Sequence, residues 1–230
     1  GVGGGGCNAI VRMLKAKPVP GVRYLGVNTD IKSLQQMDRA QVIQIGEGLT
    51  NGMGAGGDPE RGAEAAQKSR KVLKQALNGM DLVFLAVGMG GGTGTGAAPI
   101  VAEVAKEVGA LVVAVVTTPF SFEGLRRHQL AQDGVFSLQD RVDNTIIIHN
   151  DRLINLLDDD VSMEEALRRA DEAVTLGVHS VAELVNLAGE INVDMADVKS
   201  IMKLPGMALM AIGEGYGAGG ALQGARLAVS

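Results

Sequence analysis

Hydrophobic and polar positions alternate along the first part of the chain in two distinct ways. Short continuous apolar runs predict buried strands, and between them apolar residues recur every three or four positions, which predicts helices. Buried strands separated by helices indicate an α/β fold with a doubly wound, mostly parallel sheet that is covered on both faces. The predicted strands are 22–27, 42–45, 81–87, 111–117 and 144–149, and the main predicted helices are 58–78, 98–108 and 125–138.

The pattern becomes helical over a much longer stretch after residue 160. Apolar residues keep this spacing from 162 to about 187, and Ser162 with Glu165 predicts a capping box at the start. A doubly wound sheet has a central strand before its first loop, but no apolar run stands before the glycine-rich residues 1–6. We therefore expect the first domain to lack its first strand. The predicted parts are a first domain at 1–160, a long connecting helix at 161–189, and the start of an incomplete second α/β domain at 190–230. Within this last part the pattern predicts a short helix at 195–202, a strand at 207–212 and a helix after Gly220.

The composition is that of a globular protein with a full core. Of the 230 residues 46% are apolar, and no apolar run approaches the ~20 residues that a membrane span needs. Lysine and arginine number 21 against 26 acidic residues, and the net charge of −5 argues against a nucleic-acid-binding protein. The single cysteine, Cys7, excludes a disulfide framework and fits a reducing compartment.

Glycine is the unusual residue, because the 33 glycines are gathered into clusters. The first cluster, 1–6, fits the dinucleotide fingerprint G-x-G-x-x-G and is followed by an apolar helical segment. Asp30 ends the next predicted strand, slightly late for a ribose ligand. Taken alone, this cluster leaves open a Rossmann NAD(P)-dependent oxidoreductase, or a tight strand–helix turn without a ligand.

A second cluster, 88–96, follows a buried strand and opens a helix. Its unobstructed backbone amides and two hydroxyls can form a nest for an anion. Because no lysine or arginine lies between Leu77 and Lys106, we expect Mg²⁺, without dedicated protein ligands, to assist in holding phosphate. The absence of G-K-[ST] from the sequence excludes a P-loop. Two such loops fit one nucleoside di- or triphosphate better than a dinucleotide.

The segment 90–96, Gly-Gly-Gly-Thr-Gly-Thr-Gly, is the signature of the tubulin/FtsZ superfamily, which the chain resembles along essentially its whole length. The resemblance implies a cytoplasmic GTPase that binds GTP and GDP, polymerises head to tail, and forms the bacterial division ring at mid-cell. It implies that adaptor proteins bind a C-terminal tail and link the filament indirectly to the membrane. A family member from a plastid would have a similar sequence. Further segments in the order of bacterial FtsZ proteins are 1–8, 27–30, 52–56, 119–124 and 192–197.

The resemblance also implies the nucleotide-binding residues. Glu123 and Arg127, expected as an i, i+4 helix pair, would bind the nucleotide on its ribose and phosphate side. We also expect that a side chain added at Gly94 would intrude on the phosphate. Asp171 would pair with guanine, because a carboxylate accepts from N1–H and the exocyclic amine and would repel the acceptor N1 of adenine. Leu167 stands where the family usually has an aromatic that stacks on guanine. The residues implied to contact the phosphates are Gly4, Gly5, Gly6, Cys7, Asn8, Gly54, Ala55, Gly56, Gly92, Thr93 and Gly94.

Asn192, Asp194 and Asp197 are implied to be catalytic, because the family's corresponding loop activates water. Without that resemblance, the two aspartates would fit simple capping of a short helix. If Asp171 contacts guanine, a helix rising about 1.5 Å per residue ends roughly 24 Å away. The carboxylates would then act on a neighbouring subunit's nucleotide, and a head-to-tail contact that does not close gives a filament. A GTP-binding scaffold without turnover remains the non-enzymatic alternative.

Overall fold

The computed structural model describes most of the first domain and the long helix. The described residues are 1–16, 18–154, 162–186, 197, 200, 202, 215–217 and 219–229. The strands are β1 (Leu25–Asn28), β2 (Gln41–Gln44), β3 (Leu82–Gly88), β4 (Leu111–Thr118) and β5 (Asn144–His149). The helices are α1 (Gly3–Ala16), α2 (Ile31–Gln35), α3 (Pro59–Lys68), α4 (Arg70–Leu77), α5 (Thr93–Glu107), α6 (Leu125–Gln139), α7 (Asn150–Ile154), α8 (Met163–Asn186) and α9 (Gly220–Val229), with a 3₁₀ turn at Ser121–Glu123.

Among the described residues the five strands pair only in parallel and form two groups, with Val2 bridged to both. β1 pairs with β2, and β3, β4 and β5 pair in that order. Val2 forms parallel bridges to both Val27 of β1 and Val87 of β3, so it lies between the two groups at their carboxyl ends. Beside it, between β1 and β3, lies a largely apolar cavity of about 350 Å³ whose lining includes Leu25 and Phe84. The parallel α/β fold is therefore confirmed.

Helices cover both faces of the sheet, as the apolar runs predict. Along β4, Val112, Ala114 and Val116 join a buried cluster that includes residues of α3, α4 and α5. The alternate residues Val113 and Val115 join a second cluster with residues of α1 and α8. Because successive side chains of a strand point to opposite faces, this division shows that the sheet is doubly wound.

The segment from 58 to 78 forms two helices, where the sequence predicts one. Asp58 caps the first, as predicted, by accepting hydrogen bonds from the backbone N–H groups of Glu60 and Arg61. Ser69 then interrupts the helix: its hydroxyl donates to the carbonyl of Ala65 and accepts from the N–H of Gly46. A side chain that bonds to nearby backbone competes with the regular helical ladder, and this explains the break.

The helix after the second glycine cluster begins at Thr93, five residues earlier than the predicted start at 98. Its first turns pack closely on α3, and a side chain at Gly96 would come within 1.8 Å of the carbonyl of Pro59. Glycine is needed here for this close approach, so the glycine-rich stretch is a packed helical turn and not a free loop. Pro99 consequently lies inside the helix.

The long helix is confirmed as α8, which runs without interruption for 24 residues. Residues 197, 200 and 202 are helical, in accord with the predicted short helix, and the predicted strand at 207–212 lies outside the described residues. In the part of the chain that the structure describes, no helix has the length and apolar character to cross a membrane.

Candidate functional site

The glycine segments meet at the carboxyl ends of β1 and β3. Gly3 has a positive φ of 72°, and a side chain there would lie 2.6 Å from the backbone nitrogen of Gly94. A side chain at Gly92 would approach the Cβ of Ala55 to 2.9 Å, so the 54–56 segment packs against the second cluster. The chain segments approach each other so closely here that only small residues are allowed. The structure thus brings all three predicted phosphate-binding segments together.

Buried threonines fix the positions of these segments. The hydroxyls of Thr29, after β1, and Thr93, at the start of α5, share a hydrogen bond of 2.5 Å. The carbonyl of Thr29 accepts from the N–H of Gly54 at 3.3 Å and from the hydroxyl of Thr50 at 3.4 Å. The hydroxyl of Thr95 accepts from the N–H of Gly90 at 2.9 Å. The backbone amides are therefore held in place before any ligand binds.

Two helix N-termini provide positive potential at the site. α1 begins at Gly3 and α5 at Thr93, and neither has an acidic residue in its first turn. A side chain at Gly4 or Gly56 would meet nothing within 4 Å, so these two glycines border open space. The start of α1 is exposed at Gly4, whereas Thr93 and Gly94 at the start of α5 are buried. A helix N-terminus next to open space forms a site for an anion such as phosphate, so α1 offers its backbone N–H groups and α5 contributes the positive end of its dipole.

Six of the implied phosphate-binding residues are buried by protein, namely Gly6, Cys7, Ala55, Gly92, Thr93 and Gly94. A side chain at Gly94 would meet the carbonyl of Gly88 at 2.6 Å, so our expectation that it would intrude on phosphate is wrong. A side chain at Gly6 would meet the carbonyl of Ala86. The thiol of Cys7 is buried in the core, which raises its pKa, so this side chain is not available to a ligand. Gly5 and Asn8 are exposed.

Glu123 and Arg127 lie close to the second glycine cluster. Their side chains form an ion pair of 2.5 Å, and the other carboxylate oxygen of Glu123 accepts from the N–H of Phe120. Glu123 belongs to the 3₁₀ turn and only Arg127 to α6, so the expected helix pair spans two elements. The carbonyl of Arg127 would lie 2.8 Å from a side chain at Gly90, which places this pair at the edge of the site.

Sequence reasoning missed Asp151, which anchors the turn that contains Glu123. Its carboxylate accepts from the N–H of Ser121 at 2.8 Å and from the hydroxyl of Ser121 at 2.6 Å. These hydrogen bonds lower the pKa of Asp151, and His128 lies 3.9 Å from the same carboxylate. The signal available in the sequence was its position two residues after the predicted strand 144–149, at the edge where the carboxyl ends of parallel strands meet.

Asn150, one residue earlier, was also missed. It is 5% exposed, and its amide oxygen has no hydrogen-bond partner within the described residues. A buried polar atom without a partner is costly, so such an atom at the carboxyl end of β5 is a candidate ligand contact.

Asp171 lies on α8 and forms an ion pair with Arg12 of α1. The Nε of Arg12 donates to Oδ2 of Asp171 at 2.7 Å, and the two side chains are 38% and 17% exposed. Burial raises the pKa of Asp171, although the Arg12 guanidinium opposes that effect. One turn earlier, Leu167 is partly exposed.

The implied catalytic residues are only partly described. Asp197 is helical and exposed, whereas Asn192 and Asp194 lie outside the described residues. Within that same part of the chain, no set of three or more histidine, cysteine, aspartate or glutamate side chains is arranged to hold a metal ion. A magnesium ion bound mainly by phosphates and water needs no such set, so the site is compatible with Mg²⁺.

Comparison with solved structures finds archaeal relatives. An empty FtsZ dimer from M. jannaschii matches with 41% identity and a TM-score of 0.93, over 100% of this chain and 66% of that one. CetZ2 from Haloferax volcanii, a GTPγS-bound protofilament, matches with 27% identity and a TM-score of 0.73, over 87% and 60%. CetZ1 from Haloferax volcanii, a GDP-bound monomer, has 22% identity and a TM-score of 0.77 over 93% and 65%, and it supports the fold alone.

The family assignment rests on a sequence model as well as on these structures. The model of the Tubulin/FtsZ family, GTPase domain, matches residues 1–158. The chain spans about two-thirds of the length of the M. jannaschii FtsZ, and the relatives support the FtsZ branch without restricting it to bacteria. The chain belongs to the Tubulin/FtsZ family and contains its GTPase domain.

Proposed function

We propose that this chain binds and hydrolyses GTP and polymerises head to tail into the filaments of a cell-division ring. The observation that supports this most directly is the convergence of the N-termini of α1 and α5 with three glycine segments at one edge of the sheet. Family membership supports GTP chemistry, and it leaves the oxidoreductase alternative without support.

In the proposed complex, the segments 4–8, 54–56 and 92–94 contact the phosphates through backbone N–H groups that the protein itself leaves unused, which does not include the N–H of Gly54, a donor to Thr29. Glu123 and Arg127 hold the ribose and phosphate side, and Asp171 reads the guanine edge. Mg²⁺ bound to the phosphates would neutralise part of their charge. The fixed backbone amides stabilise the charge that develops on the phosphate oxygens, and they need little reorganisation because threonine hydrogen bonds already hold them.

Hydrolysis is proposed to need a second subunit. From Asp171 to the end of α8 at Asn186 the helix rises about 22 Å, at 1.5 Å per residue. Asn192, Asp194 and Asp197 follow that end, so they would act on the nucleotide of the adjacent subunit. All three would orient a water whose oxygen attacks the γ-phosphorus, and an aspartate carboxylate would accept the water's proton, while the bond to the β–γ bridging oxygen breaks and GDP leaves.

The central test is phosphate release from GTP, per molecule, over a range of protein concentrations. We expect the specific rate to rise steeply above a threshold concentration, because each site is completed by a neighbour. A specific rate independent of concentration would contradict hydrolysis between subunits. Tight GTP binding without phosphate release at any concentration would support the scaffold alternative instead.

Exposed apolar side chains beside the site suggest where the next subunit makes contact. Leu125 is 90% exposed at the start of α6, directly after the turn that contains Glu123, and Met53 is 80% exposed beside the 54–56 segment. Exposed apolar side chains that cluster around a polar site are typical of a protein interface. We propose that they pack against a second copy of this chain.

Replacing Leu125 with glutamate should therefore impair assembly. We expect the threshold concentration for polymerisation to rise about tenfold, because a buried charge costs more than 1.4 kcal/mol. GTP binding by the monomer should be unchanged. Phe136→Glu is the matched control, since Phe136 is 72% exposed near the other end of the same helix. Equal thresholds for the two variants, measured by sedimentation, would exclude Leu125 from the interface.

The remaining assignments are also proposals. We propose the domain division at 1–160, 161–189 and 190–230, of which only the end of the first part has support, from the family match over 1–158. The self-association of the M. jannaschii FtsZ dimer and of the CetZ2 protofilament supports a homopolymer. Adaptor proteins, an indirect membrane link, a mid-cell cytoplasmic location and a bacterial origin follow from the sequence resemblance alone.

A further inference from the structure

The ion pair between Arg12 and Asp171 connects residues 159 positions apart on α1 and α8. α1 also forms the first glycine segment, so one helix contacts both the proposed phosphate site and the proposed base-reading carboxylate. Only the Nε of Arg12 donates, and only Oδ2 of Asp171 accepts. A carboxylate can accept about four hydrogen bonds, so this contact leaves Asp171 able to accept two more from a ligand.

The protonation of Asp171 decides which base edge it fits. A charged carboxylate only accepts, which fits the two donors on the guanine edge. A neutral carboxyl group donates once and accepts once, which fits N1 and the exocyclic amine of adenine. A buried carboxylate therefore needs a nearby positive charge to discriminate between the two bases.

The surroundings of Asp171 offer one such charge. Burial raises its pKa, and so does Glu172 next to it on α8, whereas Arg12 lowers it. α8 packs against α1, α7, β3, β4 and β5, and within the described residues only α1 brings a charged group onto this carboxylate. Arg168, one turn away, pairs instead with Glu165 and Glu172.

We propose that Arg12 is a specificity-determining positioning residue, whose ion pair keeps Asp171 charged and oriented so that the site accepts guanine and rejects adenine. This inference rests on the proposed function, in which Asp171 reads the base. In it, Arg12 sets the selectivity without contacting the base itself. Arg12 acts through Asp171 and not by contact with the reacting phosphate.

The test measures equilibrium binding of GDP and of ADP, with Mg²⁺, to the purified protein between pH 5.5 and pH 8. We expect Arg12→Gln to weaken GDP binding about tenfold at pH 7.5, the size expected for loss of a charge-assisted hydrogen bond. Since burial would then be unopposed, Asp171 should protonate at a higher pH, and the ratio of GDP to ADP affinity should fall further as the pH is lowered. The wild-type ratio should change much less.

Two further variants make the result specific. Lys15→Gln removes a positive charge from an exposed position on the same helix and should behave as wild type. Arg12→Lys keeps the charge without the planar fork, so it should bind GDP a few-fold more weakly while its selectivity stays nearly independent of pH. Should Arg12→Gln not fold, as judged by its melting curve, Arg12→Lys decides: a ratio that falls steeply with pH in this variant would contradict the proposal.

The outcomes separate this inference from the proposed function. A wild-type protein that binds neither nucleotide overturns both. Wild-type selectivity for GDP that survives Arg12→Gln at every pH overturns only the role of Arg12. Tighter GDP binding by Arg12→Gln would likewise overturn it, because Arg12 would then compete with the base for Asp171.

Discussion

Replacing Asp194 or Asp197 with alanine is expected to abolish GTP turnover while GTP binding stays intact. The reason lies in the proposed arrangement: both residues follow α8 in the sequence, so they would complete the nucleotide site of the adjacent subunit and not that of their own. We expect the rate of phosphate release to fall at least about 100-fold, the scale of a lost general base. The measurement is phosphate release well above the assembly threshold, with GTP binding determined separately. Loss of nucleotide binding in either variant would refute the proposed role.

A mixing experiment tests the same idea more sharply. Asp197→Ala would retain a complete nucleotide site, and Asp171→Ala would retain the catalytic carboxylates but bind GTP poorly. Each alone should be inactive, and a mixture should recover part of the activity, because one subunit provides the nucleotide and the other the carboxylates. A mixture as inactive as its components would contradict hydrolysis across the subunit contact.

The second large effect is expected from Asp171→Asn, which should change the preferred base of the site from guanine to xanthine. The asparagine oxygen can still accept from N1–H, but its amide now donates, which clashes with the exocyclic amine of guanine and matches the 2-oxo group of xanthine. We expect the ratio of GDP to XDP affinity to shift more than about 100-fold, because one hydrogen bond is lost and another is gained. Competition between the two nucleotides measures this ratio directly.

Glu172→Gln is the control for that exchange. It makes the same change of charge at the next position of α8, where the side chain pairs with Arg168. Its preference for GDP should remain. A similar loss of preference in both variants would mean that the charge of α8, and not a specific contact, selects the base.

The fold was largely predictable because the strands of the three-stranded group are apolar, from the almost fully buried β4 to the partly exposed β5. β3, β4 and β5 have continuous apolar runs, and their observed bounds differ from the predicted ones by at most one residue. β1 starts three residues later than predicted, since its partner β2 begins only at Gln41, opposite Leu25. The break at Ser69 was not predictable, because the hydroxyl that bonds to Ala65 in the same helix is also held by the N–H of the distant Gly46.

The site was predictable as far as its backbone is concerned. Glycine clusters after buried strands indicated where backbone amides would be available, and the structure brings those clusters together. The purpose of each single glycine was not predictable: the missing side chain of Gly94 makes room for the carbonyl of Gly88. The contacts of Asp151 with Ser121 and of Asp171 with Arg12 join residues far apart in sequence, and no local pattern reports them.

The uninterrupted length of α8 has a consequence for the whole proposed filament. If each subunit has its nucleotide site at one end of this rigid rod and its hydrolytic loop beyond the other, the filament has two chemically different ends. One terminal subunit keeps an uncovered nucleotide and can exchange GDP for GTP, whereas the other presents carboxylates with no substrate. Growth and loss of subunits would then depend on direction, and α8 would give the polymer its polarity.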